Sequence, residues 1–258
     1  MAEAEARLAA RGRCERIGPL PGLAADAPPE DGYRIQARLA EDRCRAGRGP
    51  MAGYKIGCTT PVMQRMLDIP SPCYGTILAD GVHPGRARLA HADFVRPGVE
   101  CEIAVRLGDD LPPRAAPYGV EDVAACVAAC MVAMELVDDR YTDYRALGVA
   151  TLIADDFFHA GCVLGPPVGD WRSLDLAALA GRTLIDGRER GRGRGGDVMG
   201  HPFAAVAWLA TTLVEHDRPL RRGDIVLSGS VVETQWVARG EEAVVEVDGL
   251  GSVSALFV

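Results

Sequence analysis

Asparagine is absent from this chain of 258 residues, and Lys55 is the single lysine among its 28 basic residues. Both amino acids have AT-rich codons, so a GC-rich genome is the hypothesis that explains both shortages. Under that bias a lysine is retained where arginine cannot replace it, because a desolvated lysine can lose its proton and a guanidinium group effectively cannot. The alternative is chance survival of one codon. Lys55 is therefore a candidate for proton transfer.

The chain also lacks the features of membrane, secreted and nucleic-acid-binding proteins. No apolar run reaches the roughly 18 residues of a transmembrane helix, and the N-terminus alternates charge with alanine without a secretory core. The net charge of −8 argues against nucleic-acid binding. We expect a cytoplasmic protein with no membrane or nucleic-acid partner.

The eight cysteines contain no C-x-x-C pair. A chain of this length, with 48% hydrophobic residues, can build a core without disulfides. We therefore predict reduced thiols that pack as small apolar side chains. The five histidines are scattered without the spacing of metal ligands, which argues against a zinc site.

Two familiar catalytic motifs are also excluded. No G-x-S-x-G occurs, so the sequence offers no nucleophilic serine of the hydrolase type. The stretch GRGRGG at 191–196 has the letters of a dinucleotide-binding loop, but it follows charged residues rather than a hydrophobic strand. We predict that it forms a flexible hairpin tip.

Secondary-structure signals predict an α+β fold rather than regular βαβ alternation. The sequence pattern of residues 1–48 predicts helix, with helix start and stop signals around PPEDGYRIQARLAEDRCRAG. After residue 57, proline and glycine become frequent and short β-like runs lie between them. We expect a largely antiparallel or mixed sheet.

Helical and β periodicities alternate in the second half of the chain. A helix is predicted from about 120 to 133, and the run MELVDDR after it predicts a strand. The apolar face of that helix would consist of Val123, Val127, Cys130, Met131 and Met134. Another helix is predicted over 203–214, with Pro202 at its first position. Strands are predicted at 224–233, 242–248 and 251–258.

The clearest strand, GVECEIAVRL at 98–107, contains two glutamates in an otherwise apolar run. Alternation along a strand places Glu100 and Glu102 on one face, with Cys101 on the other. Their Cα atoms would be roughly 6.6 Å apart, so the two side chains can converge and repel each other unless a cation binds between them. The alternative is a solvent-facing strand edge with two ordinary acids.

A third acid strengthens the metal hypothesis. Glu135 lies between Met134 and Leu136, again inside an apolar run. Three carboxylates, with water completing the coordination, would suit Mg²⁺ or Mn²⁺. Cys101 should point away from such an ion and is not a predicted ligand.

Seven motifs carry a resemblance to a known family. They are GYKIGCTT (53–60), YGTILAD (74–80), RPGVECEIAVRL (96–107), AMELVDDRYTDY (133–144), ADDFFHAGCVLG (154–165), GHPFAAVAWLA (200–210) and GDIVLSGS (223–230). As an ordered set they resemble the fumarylacetoacetate hydrolase superfamily, and most of all its branch of 2-keto-4-pentenoate hydratases and 4-oxalocrotonate decarboxylases. The resemblance extends from about residue 32 to the end of the chain.

The resemblance implies roles for individual residues. Glu100, Glu102 and Glu135 would bind Mg²⁺ or Mn²⁺. Lys55 matches the family's motif lysine, and Asp80 would transfer protons or orient that lysine. The candidate substrate contacts are Gly229, Ser230, Thr60 and His159.

The resemblance also implies the architecture and the assembly. The expected fold is a β-rich roll with mixed sheets and an N-terminal helical cap. Residues 1–50 would form the helical segment, and residues 51–258 the catalytic metal-binding domain, as one continuous structural unit. Such proteins usually form homo-oligomers, and a paired decarboxylase or hydratase of the same family is a possible partner.

One segment departs from the family pattern. Where hydratases commonly have A-D-N-x-S, this chain has ADDFFH at 154–159. The two phenylalanines and His159 would change the shape and polarity of the pocket. The departure therefore affects the expected substrate more than the metal chemistry.

Three functions are compatible with this pattern. The first is a hydratase of aromatic-compound catabolism that adds water to a 2-hydroxy-2,4-dienoate through a metal-bound enolate, with the pKa of Lys55 lowered beside the cation. The second is decarboxylation of a 2-keto dioate, or C–C hydrolysis of an acylpyruvate, through the same enolate. The third is a non-catalytic partner in an oligomer.

Overall fold

The computed structural model of the protein describes residues 14–60, 63–65, 69, 71–112, 114 and 117–258. Within these residues the helices are α1 (Pro29–Arg45), α2 (Val120–Cys126), α3 (Val149–Ala154) and α4 (Pro202–Glu215). The strands are β1 (Met51–Gly57), β2 (Cys73–Leu78), β3 (Val82–Pro84), β4 (Arg86–Leu89), β5 (Pro97–Leu107), β6 (Val127–Asp138), β7 (His159–Leu164), β8 (Ala180–Ile185), β9 (Arg188–Arg194), β10 (Ile225–Ser230), β11 (Gln235–Trp236), β12 (Glu242–Val247) and β13 (Gly251–Phe257). They form two mixed sheets, which confirms the predicted α+β class.

The first sheet closes into a roll. Its strand order is β2-β1-β10-β5-β6-β7-β3, and β11 pairs with β5. Because only Ala79–Gly81 separates β2 from β3, the chain joins the two ends of this order. The inner face carries a buried apolar cluster consisting of Ile77, Ala104, Met131, Ala133, Cys162, Leu164, Ile225 and Leu227.

The outer face of the roll packs on the second sheet, whose order is β4-β13-β12-β8-β9. The side chains of β5 alternate as predicted. Val99, Cys101, Ile103, Val105 and Leu107 belong to the large core between the sheets. Helix α4 packs against the same core and begins at Pro202, as its sequence indicates.

Helix α1 packs on α3 and on β2. It has acidic residues in its first turn and basic residues in its last, which confirms the helix signals there. The described residues 14–28 form a β-bridge and turns instead, because the prolines and glycines of GPLPG interrupt a helix. The predicted helix over 1–48 is therefore wrong in that part, and residues 1–13 lie outside the described residues. The domain boundary at residue 50 stays a prediction.

Strand β6 corrects the helix predicted from about 120 to 133. The helix begins at Val120, as predicted, but it ends at Cys126, and the following residues form one strand to Asp138. The helix prediction is therefore confirmed over 120–126 and wrong over 127–133, and the strand predicted for MELVDDR is confirmed as far as Asp138. Cys130 faces the core between the sheets, whereas Met131 faces the inside of the roll. A strand buried on both faces is apolar at nearly every position, so its periodicity does not distinguish it from a helix.

The GRGRGG stretch is also corrected, because most of it lies in edge strand β9 and not in a hairpin tip. A Cβ atom on Gly193 would lie 1.7 Å from the carbonyl oxygen of Val231, and one on Gly191 would lie 2.4 Å from Cγ1 of Val232. The glycines therefore allow β9 to pack directly on the segment that follows β10.

All eight cysteines are free thiols, as predicted, and five of them are buried. None of the helices in the described part of the chain has the length and apolar character to cross a membrane.

Candidate active site

Three acidic side chains and one lysine meet on the inner face of the roll. Glu100 and Glu102 lie two residues apart on β5, and Glu135 lies opposite Glu100 on β6. One oxygen from each glutamate lies within 4.8 Å of the others. Lys55 lies on β1, and its Nζ is 3.3 Å from Oε1 of Glu135. The structure thus brings together the predicted metal ligands and the predicted lysine.

The end of β10 and the residues that follow it donate hydrogen bonds to the two glutamates of β5. The backbone N–H of Gly229 donates to Oε2 of Glu102 at 2.7 Å, and the Thr234 hydroxyl donates to Oε1 of Glu100. Gly229 has φ +112°, and a Cβ atom there would lie 2.6 Å from the side chain of Thr59. Glycine is therefore required at this position by both conformation and space.

Glu135 is held by two nitrogen donors through one oxygen. Its Oε1 lies 2.8 Å from Nδ1 of His159 as well as close to Lys55. Oε2 of Glu135 and Oε1 of Glu102 are buried and have no hydrogen-bond partner among the described residues. A buried carboxylate oxygen without a donor is costly. These two oxygens are the strongest indication of a ligand site.

The electrostatics of Glu100 and Glu102 agree with this interpretation. For Glu135, burial raises the pKa, but the charge of Lys55 and the contact with His159 lower it more, so this carboxylate is held ionised. Burial, and then the charge of Glu135, raise the pKa of Glu100 from 4.5 to about 7. Burial, and then the charges of Glu135 and Glu100, raise the pKa of Glu102 well above its usual range. The group carries more negative charge than its surroundings stabilise. A divalent cation would remove that imbalance, and three hard oxygen donors with two unsatisfied oxygens fit such an ion.

Lys55 is almost fully buried, with 3% of its surface exposed. Its Nζ donates to the carbonyl oxygen of Phe157 at 2.6 Å and lies 5.3 Å from the centre of that ring. Burial lowers the pKa of Lys55, but the charges of Glu135, Glu100 and Glu102 raise it more, so the net shift is upward. The sequence analysis expected a lowered pKa of Lys55 beside a bound cation. Without a cation, the three carboxylates raise this pKa instead.

The predicted substrate contacts occupy different positions. His159 is buried against Glu135. The hydroxyl of Ser230 donates to backbone carbonyl groups, and that of Thr60 accepts from the N–H of Met63 at 3.3 Å. Substrate contact by these groups stays a prediction.

Asp80 is not brought to this group. Its carboxylate pairs with Nε of Arg48 at 2.5 Å, at a partly exposed position beyond the end of β2. It lies five residues after Gly75, the cross-strand neighbour of Lys55, which places it roughly 10 Å or more away along the strand. Phe157 supplies a contact to the lysine here, and the role of Asp80 in transferring protons or orienting that lysine stays a prediction.

Sequence reasoning missed the contacts of Thr59, Thr234 and Phe157. The first two carry no recognisable spacing signal. Phe157 lies in the segment 154–159, which differs from the family pattern. The sequence therefore singled out this segment, but it did not indicate a contact with Lys55. Asp155 in the same segment forms a buried ion pair with Arg140.

Comparisons with known proteins agree with the geometry. A family model described as fumarylacetoacetate (FAA) hydrolase C-terminal matches residues 79–258. The chain is 34% identical over 225 residues to a 2-keto-4-pentenoate hydratase of Burkholderia vietnamiensis, covering 87% of this chain and 84% of that protein. It is 33% identical over 244 residues to a 2-hydroxyhexa-2,4-dienoate hydratase of Comamonas testosteroni, covering 93% and 90%. The fold is similar to that of 4-oxalocrotonate decarboxylase from Pseudomonas putida G7 complexed with magnesium and adipate, with a TM-score of 0.91, 25% identity, and coverage of 100% and 96%.

Proposed function

Because the chain belongs to the fumarylacetoacetate hydrolase family, we propose that it is a divalent-metal-dependent hydratase that adds water to a 2-hydroxy-2,4-dienoate or its 2-keto tautomer. Its similarity to hydratases over most of its length supports this reaction class, and the protein is accordingly an enzyme of the hydro-lyase type. The observation that carries the proposal is the group of buried Glu102 and Glu135 and partly buried Glu100, with Lys55 beside it.

The three glutamates would hold Mg²⁺ or Mn²⁺, since both ions prefer carboxylate oxygens. When bound, the cation supplies Lewis acidity toward the carboxylate and 2-oxo group of the substrate. The similar decarboxylase is complexed with magnesium, which supports a divalent ion as the cofactor. The oxygens of Glu102 and Glu135 that have no hydrogen-bond partner in the described residues are the groups that would bind it.

Lys55 is the group we propose for proton transfer. Ketonisation of the dienoate requires a proton at C5, and water then adds at C4. The ammonium group of Lys55 has three donors, of which one is directed at Phe157 and one at Glu135. Within the described residues the third has no partner, so Nζ can donate to the substrate. Its burial keeps bulk water from competing for that proton.

The ring of Phe157 provides an apolar surface beside the lysine, with its centre 5.3 Å from Nζ, and it packs against Phe158. Their rings lie 5.7 Å apart and nearly perpendicular, at 74°. A hydrocarbon chain beyond C3 of the substrate fits such a surface better than a second carboxylate does. This favours a mono-acid dienoate.

Decarboxylation of a 2-keto dioate is the second candidate, because the similar decarboxylase covers the whole of this chain at a TM-score of 0.91. Both reactions require an enolate, so the three glutamates do not separate them. The sequence identity is higher to the hydratases, at 34%, than to that enzyme, at 25%. Hydration is therefore our first choice.

The decisive experiment is a substrate comparison. Protein treated with EDTA is reconstituted with Mg²⁺ or Mn²⁺ and assayed on 2-hydroxypenta-2,4-dienoate, on 4-oxalocrotonate and on an acylpyruvate. Loss of dienoate absorbance with formation of a 4-hydroxy-2-keto acid supports hydration, whereas release of CO₂ from oxalocrotonate without hydration contradicts it. Glu102→Gln should abolish turnover, and Glu242→Gln, at a partly exposed position that pairs with Arg86, is the matched control.

We further propose that the protein acts as a homo-oligomer in the cytoplasm on a small anionic 2-keto acid. The family resemblance supports this assembly. Sedimentation of the purified protein tests it directly.

A further inference from the structure

The contact between Lys55 and Phe157 depends on an unusual turn between α3 and β7. Asp156, Phe157 and Phe158 have φ values of +57°, +51° and +67°. Residues other than glycine rarely adopt this left-handed conformation, and three in succession require support from the surrounding structure. The carbonyl oxygen that accepts the hydrogen bond from Nζ of Lys55 belongs to Phe157, the central residue of the three.

Asp156 supplies that support. Its Oδ1 accepts hydrogen bonds from both the backbone N–H and the hydroxyl of Thr76, at 3.0 and 2.7 Å. Its Oδ2 accepts from Arg43 at 2.6 Å, and the carboxylate is buried, with 2% of the side chain exposed. Strand β2 and helix α1 therefore hold the turn through one side chain. Because both oxygens are bonded to these partners, Asp156 is not placed to touch a substrate.

The turn and the lysine side chain share one small space. Gly75 on β2 is the cross-strand neighbour of Lys55. A Cβ atom on Gly75 would lie 2.6 Å from the carbonyl oxygen of Asp156 and 3.2 Å from Cε of Lys55. The backbone of the turn and the lysine thus both pack over the same glycine. A movement of the turn must change the position of Lys55.

We infer that Asp156, held by Arg43 and Thr76, is a positioning residue that sets the direction of Lys55 Nζ by fixing the carbonyl group of Phe157. The role in catalysis rests on the proposed function, in which Lys55 transfers a proton. The hydrogen bonds from Arg43 and Thr76 join Asp156 to α1 and β2, whereas the three glutamates lie on β5 and β6. Loss of its contacts should therefore change turnover while metal binding is kept.

The single lysine makes this inference directly measurable. Since Lys55 is the only lysine in the chain, protein labelled with ¹⁵N-lysine gives one side-chain ammonium signal. We expect slow exchange of its protons with water in the unmodified protein, and exchange at least about tenfold faster in Asp156→Ala and Arg43→Gln, because local opening limits exchange of a buried group. Arg45→Gln is the matched control, since Arg45 pairs on the exposed surface of the same helix.

Kinetics provide the second measurement. We expect kcat to fall about 10- to 100-fold in Asp156→Ala and Arg43→Gln, the size of effect caused by a misplaced reacting group. KM and the affinity for Mg²⁺ should stay within about threefold. Asp156→Asn combined with Arg43→Gln should recover part of kcat, because the two amides can hydrogen bond without a buried charge. If Asp156→Ala does not fold, Arg43→Gln and the double variant carry the test.

The outcomes separate this inference from the proposed function. Unchanged ammonium exchange and unchanged kcat in folded variants would overturn the inference, even if the unmodified protein hydrates a dienoate. Faster exchange in the variants, with no turnover of any dienoate by the unmodified protein, would support the positioning role while contradicting the hydratase proposal. The exchange experiment needs neither metal nor substrate.

Discussion

Replacing Glu100 with glutamine should stabilise the protein at alkaline pH when divalent cations are removed, and should weaken its binding of Mg²⁺. Burial, and then the charge of Glu135, raise the pKa of Glu100 from 4.5 to about 7. That difference corresponds to about 3 kcal/mol of unfavourable interaction for the ionised carboxylate in the folded protein. Glutamine removes the charge and keeps the oxygen that accepts from Thr234.

The direction of the pH dependence follows from proton linkage. Between pH 4.5 and about 7, folded Glu100 binds a proton that the unfolded chain releases. The free energy of unfolding of the unmodified protein therefore falls as pH rises through this range and is constant above it, as far as this group contributes. The variant lacks this contribution. The free energy of unfolding of Glu100→Gln should therefore equal that of the unmodified protein close to pH 4.5 and exceed it by about 3 kcal/mol at pH 8.

Thermal and urea denaturation in EDTA at pH 5 and pH 8 measure this difference. For a chain of this size, about 3 kcal/mol corresponds to roughly 6–12 °C in Tm. Calorimetric titration with Mg²⁺ at pH 8 measures the loss of affinity, and Glu242→Gln, which removes a partly exposed acid, controls for net charge. Equal stability of Glu100→Gln and the unmodified protein at pH 8 would refute the electrostatic reasoning. Unchanged Mg²⁺ affinity would refute the assignment of Glu100 as a ligand.

Two further substitutions test the lysine and the packing behind the site. Lys55→Arg should lower kcat more than about 100-fold with Mg²⁺ affinity within a few fold, because a guanidinium group does not release its proton; full activity would exclude proton transfer by this residue. Gly193→Ala should lower Tm by several degrees and weaken Mg²⁺ binding, since the new methyl group would meet the carbonyl oxygen of Val231 at 1.7 Å. Gly169→Ala has no atom near its new Cβ and should change neither quantity, and equal behaviour of the two variants would contradict the packing argument.

The sequence predicted the site best where one strand combines two environments. In β5 the apolar residues and the glutamates alternate, so strand periodicity alone assigns their faces. Glu135 could be proposed as a third ligand because an acid in an apolar run is unusual. That it lies opposite Glu100 depends on the pairing of β5 with β6, which no local pattern specifies.

Prediction failed where tertiary contacts decide the conformation. Strand β6 is covered on both faces, so its sequence resembles a buried helix. The glycines of β9 are selected by the close approach of Val231 and Val232, not by a turn. The left-handed turn at 156–158 is fixed by Arg43 and Thr76, which lie 113 and 80 residues away from Asp156 in the chain. Local propensity opposes that turn, and only the assembled roll stabilises it.

The environment of Lys55 gives a physical reason why this single lysine is retained. The side chain is almost completely buried, and its donors meet one carbonyl oxygen at 2.6 Å and one carboxylate oxygen at 3.3 Å. A guanidinium group has five N–H donors, whereas Nζ of the lysine has two acceptors beside it, the carbonyl oxygen of Phe157 and Oε1 of Glu135. Several N–H groups of an arginine would therefore be buried without an acceptor. Hydrogen bonding therefore disfavours arginine at this position, and proton transfer by Lys55, as proposed above, would disfavour it as well.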